Sequence, residues 1–131
     1  MRFLFDTNVL IERARSKPAP KVKAWVDSLV PFQIVLCPVV AAEFMIGVFK
    51  LPQGQRLEGI RFLREAIQKF CWQPVDLRTA IAYGETRAHL KIKGRVNDLW
   101  LASLAKAHNL TVATRNDRHI KPFGVPTFNP F

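Results

Sequence analysis

Three carboxylates interrupt apolar runs in which no other charge occurs. Asp6 is the only charge in Phe3 to Ile11, Glu43 the only one between Ile34 and Phe49, and Asp98 the only one between Val96 and Ala105. A carboxylate in such surroundings has to be paired, protonated or bound to a cation, because an unpaired buried charge costs at least several kcal/mol. Taken singly, each acid has a structural reading. Asp6 suits a helix cap with Thr7, Asp98 a first-turn acid favoured by a helix dipole, and Glu43 the partner of a buried base. Taken together, they point to one shared site.

Apolar periodicity sets the elements around them. Arg2 to Phe5 reads as a strand that stops at Asp6-Thr7-Asn8 and feeds a helix carrying Val9, Leu10, Arg13 and Ala14. Pro18 and Pro20 break the chain before a short helix over Lys21 to Leu29, on which Asp27 pairs with Lys23 one turn away. Gln33 to Cys37 is apolar on both faces, as a buried parallel strand is, and Pro38 suits the first turn of the helix that carries Glu43. A helix over Gln53 to Phe70 follows. Trp72 to Leu77 reads as a third strand, Thr79 to Ile92 as a helix, and Asn97 as the cap of a helix running to His108 with Asp98 in its first turn. Leu110 to Thr114 and Val125 to Phe128 complete the strands. This order predicts an α/β fold: a three-layer α/β/α sandwich on a mainly parallel sheet of about five strands, with residues 1–131 forming a single domain.

In an open parallel sheet, ligands lie beyond the carboxyl ends of the strands. Asp6, Glu43, Asp98 and the turn Thr114-Arg115-Asn116-Asp117 all fall at that edge of the predicted sheet. With no His or Cys among these donors, the fitting ion is Mg²⁺, with Mn²⁺ as the alternative. The three histidines lack zinc-ligand spacing, and Cys37 and Cys71 read as buried free thiols. Twenty Lys and Arg against ten acids give a net charge of +10, and the bases concentrate in Arg13 to Lys23 and Arg87 to Arg95. Such a surface attracts phosphates. An acidic centre in basic surroundings reads as a phosphodiesterase. The apolar stretches are too short or too interrupted for a membrane span or a secretory signal, so a cytoplasmic protein is expected.

The blocks FLFDTNVLIE, VVAAEFMIG, NDLWLASLAKAHNLTVATRN and the terminal FNPF, in this order, resemble a PIN-domain ribonuclease of the VapC toxin group, in its FitB-like branch. The resemblance covers nearly the whole chain. It implies a metal-dependent endoribonuclease that is the toxin of a toxin–antitoxin pair, acts on RNA, forms a homodimer and is bound by a small antitoxin protein. Its metal-binding acids match Asp6, Glu43 and Asp98. Its fourth catalytic position matches Asn116, with Thr114 supporting the cluster and Asp117 as the alternative to Asn116. Arg87, Lys91, Lys93 and Arg95 are the expected RNA-binding residues, against a solvated helix face. Two further readings stand beside the toxin: a basic nucleic-acid-binding module that has lost catalysis, and an RNA-maturation or DNA-cleaving nuclease of the same fold.

Overall fold

The structure, a computed structural model, describes residues 1–91 and 93–131. Its strands are β1 (Phe3–Phe5), β2 (Ile34–Leu36), β3 (Cys71–Trp72), β4 (Thr111–Ala113) and β5 (Thr127–Phe128). The helices are α1 (Thr7–Ala14), α2 (Pro20–Ser28), α3 (Pro38–Phe49), α4 (Leu57–Lys69), α5 (Leu77–His89), α6 (Val96–Ala107) and α7 (Asp117–Ile120). The sheet order is β3-β2-β1-β4-β5, and every pairing is parallel. Right-handed crossovers put the helices that lead from β1 out to β3 on one face of such a sheet, and those that lead back to β4 and β5 on the other. The result is the expected three-layer α/β/α arrangement.

Burial follows from this layering. β1 and β2 are buried along their whole length, which explains why FLF and IVL carry no polar alternation. Phe3 and Phe5, two residues apart on one strand face, receive Trp25 of α2 at centroid distances of 5.0 and 5.7 Å, and Phe128 stacks on the same indole at 5.0 Å. Helices α5 and α6 are joined by Tyr83 stacked on Trp100 at 4.1 Å. Helix α4 comes so close to α3 that a Cβ built on Gly59 would lie 2.6 Å from a Val48 methyl.

Several boundaries depart from the sequence reading. The third strand stops at Trp72. Pro74 has no N–H for the ladder, and Asp76 is the N-cap of α5, accepting from Thr79 N at 3.0 Å and from Thr79 Oγ1 at 2.6 Å. Helix α5 ends at His89, so Lys91 and Lys93 lie on the α5–α6 connection and not on a helix face; Ile92, the expected helix end, lies outside the described residues. The Gln53 to Phe70 stretch divides into a 3₁₀ turn over Gln53–Gln55 and then α4. Asn97 does not cap α6. That position belongs to Arg95, left-handed at φ 52° after Gly94 at φ 74°, and Asn97 sits inside the first turn with Asp98. Of the two thiols, neither in a disulfide, Cys37 is buried and Cys71 half-buried. Among the described residues no helix is long and apolar enough to cross a membrane.

Candidate active site

The strand order reverses at β1: the chain steps from β1 to β2 to β3 on one side and returns to β4 and β5 on the other. The crevice between the carboxyl ends of β1 and β4 is therefore the switch point of the sheet, where a ligand is expected. Asp6 leaves β1 there and Thr114 leaves β4.

Asp6 is held firmly. Its backbone N–H donates to Ala113 O at 2.9 Å, continuing the β1–β4 ladder by one residue. One side-chain oxygen, Oδ1, accepts from Thr7 N at 2.7 Å and so caps α1. The other, Oδ2, accepts from the Thr114 hydroxyl at 2.7 Å and from Asn8 Nδ2 at 3.3 Å. Thr114 is fully buried, and its hydroxyl is saturated: it donates to Asp6 and accepts from Asn8 Nδ2 at 3.3 Å and from Asn116 N at 3.0 Å. Asn8 closes the loop by accepting from Arg115 N at 3.1 Å. Nothing in the sequence marks its role beyond its place as the third residue of Asp-Thr-Asn, at the second position of α1.

Glu43 comes from α3 and Asp98 from the first turn of α6, both half-buried. Burial raises the pKa of Glu43, and the negative charges of Asp6 and Asp98 raise it further, against the donors Thr7 and Asn97. Burial and then Asp6 raise that of Asp98, opposed by His119 and Arg95. The sequence-predicted acids are thus near enough to repel one another, and among the described residues no Lys, Arg or His forms a close ion pair with any of the three. Asn97, expected as a cap, instead lies near enough to Glu43 to oppose the rise in its pKa. The Thr7 hydroxyl opposes it too, yet its buried oxygen makes no well-formed hydrogen bond among the described residues.

The turn after β4 separates the two candidates for the fourth position. Asp117 opens α7 and pairs with Lys121 at 2.9 Å, which holds its carboxyl below the usual range. Asn116 precedes it, exposed, with its N–H on Thr114 and no side-chain capping bond. The basic residues are distributed unevenly. Arg95 lines an open cleft of ≈ 320 Å³ together with Val96, Asn97 and Asp98. Arg87, on α5, donates to Gly94 O at 3.2 Å and so braces the left-handed turn, while Lys91 and Lys93 are exposed on the connection. Cys37 lies near Asp6 and Glu43, but burial pushes its thiol up to about 11, so it is neither thiolate nor ligand at neutral pH.

This donor set suits a hard, hydrated cation. Asp6 and Asp98 raise the proton affinity of Glu43 and Asp6 that of Asp98, an orphaned buried hydroxyl lies beside them, and every donor is oxygen. Among the described residues no three Asp, Glu, His or Cys side chains stand together tightly enough to ligate one ion directly. Mg²⁺ binds through one or two carboxylates while keeping several waters, so direct closure by all three is not required.

Comparison with known proteins agrees with the fold. The PIN domain model matches residues 3–123. The toxin FitB of Neisseria gonorrhoeae is 33% identical over 135 residues, covering 98% of this chain and 97% of that protein. The VapC ribonuclease Y4jK of Sinorhizobium fredii is 29% identical over 140 residues, covering 98% and 96%. The crystal structure of FitAcB from Neisseria gonorrhoeae superimposes with a TM-score of 0.85 at 32% identity, covering 98% of this chain and 97% of that one.

Proposed function

The chain belongs to the PIN-domain family, on the branch of the FitB and VapC proteins, and from that premise we propose that it is a metal-dependent endoribonuclease, the toxin of a type II toxin–antitoxin pair. What carries this reading is that Asp6 and Asp98 raise the pKa of Glu43, and Asp6 that of Asp98, at the β1–β4 switch point, with no close ion pair to any of the three among the described residues.

Asp6, Glu43 and Asp98 would hold Mg²⁺, or Mn²⁺ in its place, with Asn116 offering a neutral oxygen. Such an ion supplies Lewis-acid stabilisation of a phosphoryl oxygen and a water of lowered pKa. The chain's own contribution is placement. Thr7 N, Asn8 and Thr114 fix both oxygens of Asp6 before any substrate arrives, so no reorganisation is needed when the RNA binds. Arg95, beside Asp98, with Lys91 and Lys93 on the same connection, holds the phosphodiester across the acids; Arg87 supports that connection from α5. Hydrolysis adds a water oxygen to phosphorus and releases the ribose oxygen with a proton.

The toxin reading brings two partners. One is an antitoxin protein covering the basic, acid-centred groove. The other is a second copy of the chain, for which α5 offers Leu77 and Ile81, one turn apart and 74% and 59% exposed. A protein of this kind acts in the cytoplasm.

The test is cleavage of a mixed tRNA, rRNA and mRNA pool by purified wild type and Asp6→Asn, with Mg²⁺, Mn²⁺ or EDTA. Discrete cuts that need metal and fall by more than about 100-fold in the variant are expected, since even outer-shell partners of a metal carry 10–100-fold. Metal-independent RNA binding without cleavage by folded, antitoxin-free protein would leave a binding module in place of the nuclease. Cleavage confined to DNA would move the activity to that substrate.

A further inference from the structure

The residues at the end of the sequence build a second basic feature beside the turn that follows β4. Asn129 staples two strand ends together: its Nδ2 donates to Arg115 O at 3.4 Å and its Oδ1 accepts from Phe131 N at 3.0 Å. This brings the Phe131 ring under Arg115, whose guanidinium carbon lies 3.9 Å from the ring centroid. On the other side, Lys21 Nζ at the start of α2 donates to Phe131 O at 2.9 Å. Phe131 is half-buried, whereas Arg115 and Lys21 are exposed. The nearby acid Glu12 is buried and already occupied by Ala19 N at 2.8 Å and by Arg15 at 3.0 Å. Arg15 is spent on Glu12 and Lys21 contacts the Phe131 oxygen, whereas Arg115 forms no close ion pair among the described residues.

We propose that Arg115 and Lys21, gathered by Phe131, form a phosphate-binding platform that holds the RNA backbone beside the acids. The proposal rests on the nuclease reading of that site and extends it to residues outside the Arg87 to Arg95 group. A guanidinium stacked on an aromatic ring keeps its N–H edge free for a phosphate and loses little side-chain entropy on binding, because its plane is already set. Lys21 retains two further N–H donors. The platform also has a fixed relation to the centre: Arg115 N donates to Asn8 Oδ1, and Asn8 Nδ2 donates to Asp6. A strand gripped at Arg115 is thereby registered against Asp6 through two hydrogen bonds.

The experiment is fluorescence anisotropy of a labelled twelve-nucleotide single-stranded RNA in EDTA across a salt series. It uses wild type, Arg115→Gln, Lys21→Gln, Phe131→Ala, the Arg115→Gln/Phe131→Ala double variant, and Lys106→Gln as a charge-matched control near the far end of α6. Arg115→Gln and Lys21→Gln are each expected to weaken binding several-fold and to reduce the slope of log K against log salt by about 0.7, the loss of one phosphate contact on a single strand. Phe131→Ala should match Arg115→Gln and add nothing in the double variant. Unchanged slopes with normal wild-type binding would overturn the platform alone, as would equal losses from Lys106→Gln, which would reduce the effect to net charge. Absence of salt-dependent RNA binding by the wild type would overturn both the platform and the nuclease reading. Circular dichroism melts confirm that each variant is folded.

Discussion

Thr114 is where fold and proposed chemistry meet in one atom. Its hydroxyl has one proton and two lone pairs, and Asp6, Asn8 and Asn116 N use all three in a site closed to solvent. Valine keeps the shape and removes every one of these bonds. Thr114→Val is expected to destabilise the fold by about 1–3 kcal/mol, because Asn116 N is left without its acceptor and Asp6 Oδ2 loses a donor. It should also lower RNA cleavage by about 10–100-fold, as the loss of an outer-shell partner does. Thr114→Ser keeps the hydroxyl and should restore most of the cleavage. Chemical denaturation and cleavage rates on the same preparations separate the two effects; a Val variant that is less stable yet fully active would make Thr114 purely structural.

The contact of α3 with α4 gives the element-scale counterpart. Gly59 lies inside α4, where alanine alone would gain about 1 kcal/mol of helix propensity, but its Cβ would meet a Val48 methyl at 2.6 Å. Overpacking of this kind costs about 1–3 kcal/mol. Gly59→Ala is expected to lower the denaturation midpoint, and Val48→Ala in the same chain to recover part of that loss; a Gly59→Ala protein more stable than wild type would show that the helices simply move apart. Elements of this sort also mark what the sequence made legible. The strands β1, β2 and β4 were readable because they are buried on both faces, and the Pro38 start of α3 because proline fits a first helical turn. The acids were readable because a lone charge in an apolar run demands an explanation. What escaped was decided by contacts remote in sequence. The cap of α6 falls to a left-handed Arg95, and Asn97 sits inside the first turn near Glu43, 54 positions away. The Asn8–Thr114 bond spans 106 positions, and the stacking of Arg115 on Phe131 has no periodicity to announce it. α7, at four residues, is too short for a pattern.

At the scale of the molecule, the charge distribution couples pH, metal and stability. Asp76, Glu12, Asp27 and Asp117 have pKa values lowered by their hydrogen-bond and ion-pair partners. Their stabilisation is complete above the unfolded carboxylate range, near 4, and is lost as pH falls below it. Glu43 and Asp98 are shifted the other way. The folded chain binds more protons there than the unfolded one, so their effect on stability is most favourable below about 4 and is withdrawn as pH rises toward their raised values. A cation bound there, as proposed, would replace those protons. Mg²⁺ is therefore expected to raise the melting temperature more at pH 7.5 than at pH 5, by an amount that grows with its concentration as binding to the folded state alone requires. Because histidines also titrate between these two values, the comparison that isolates the acids is with Asp6→Asn, in which the Mg²⁺ response should be greatly reduced, and with Glu43→Gln, in which its pH dependence should flatten. The same Mg²⁺ shift at both pH values, or a full shift in Asp6→Asn, would mean that the ion binds elsewhere on the protein and that the three acids owe their place at the switch point to something other than a metal.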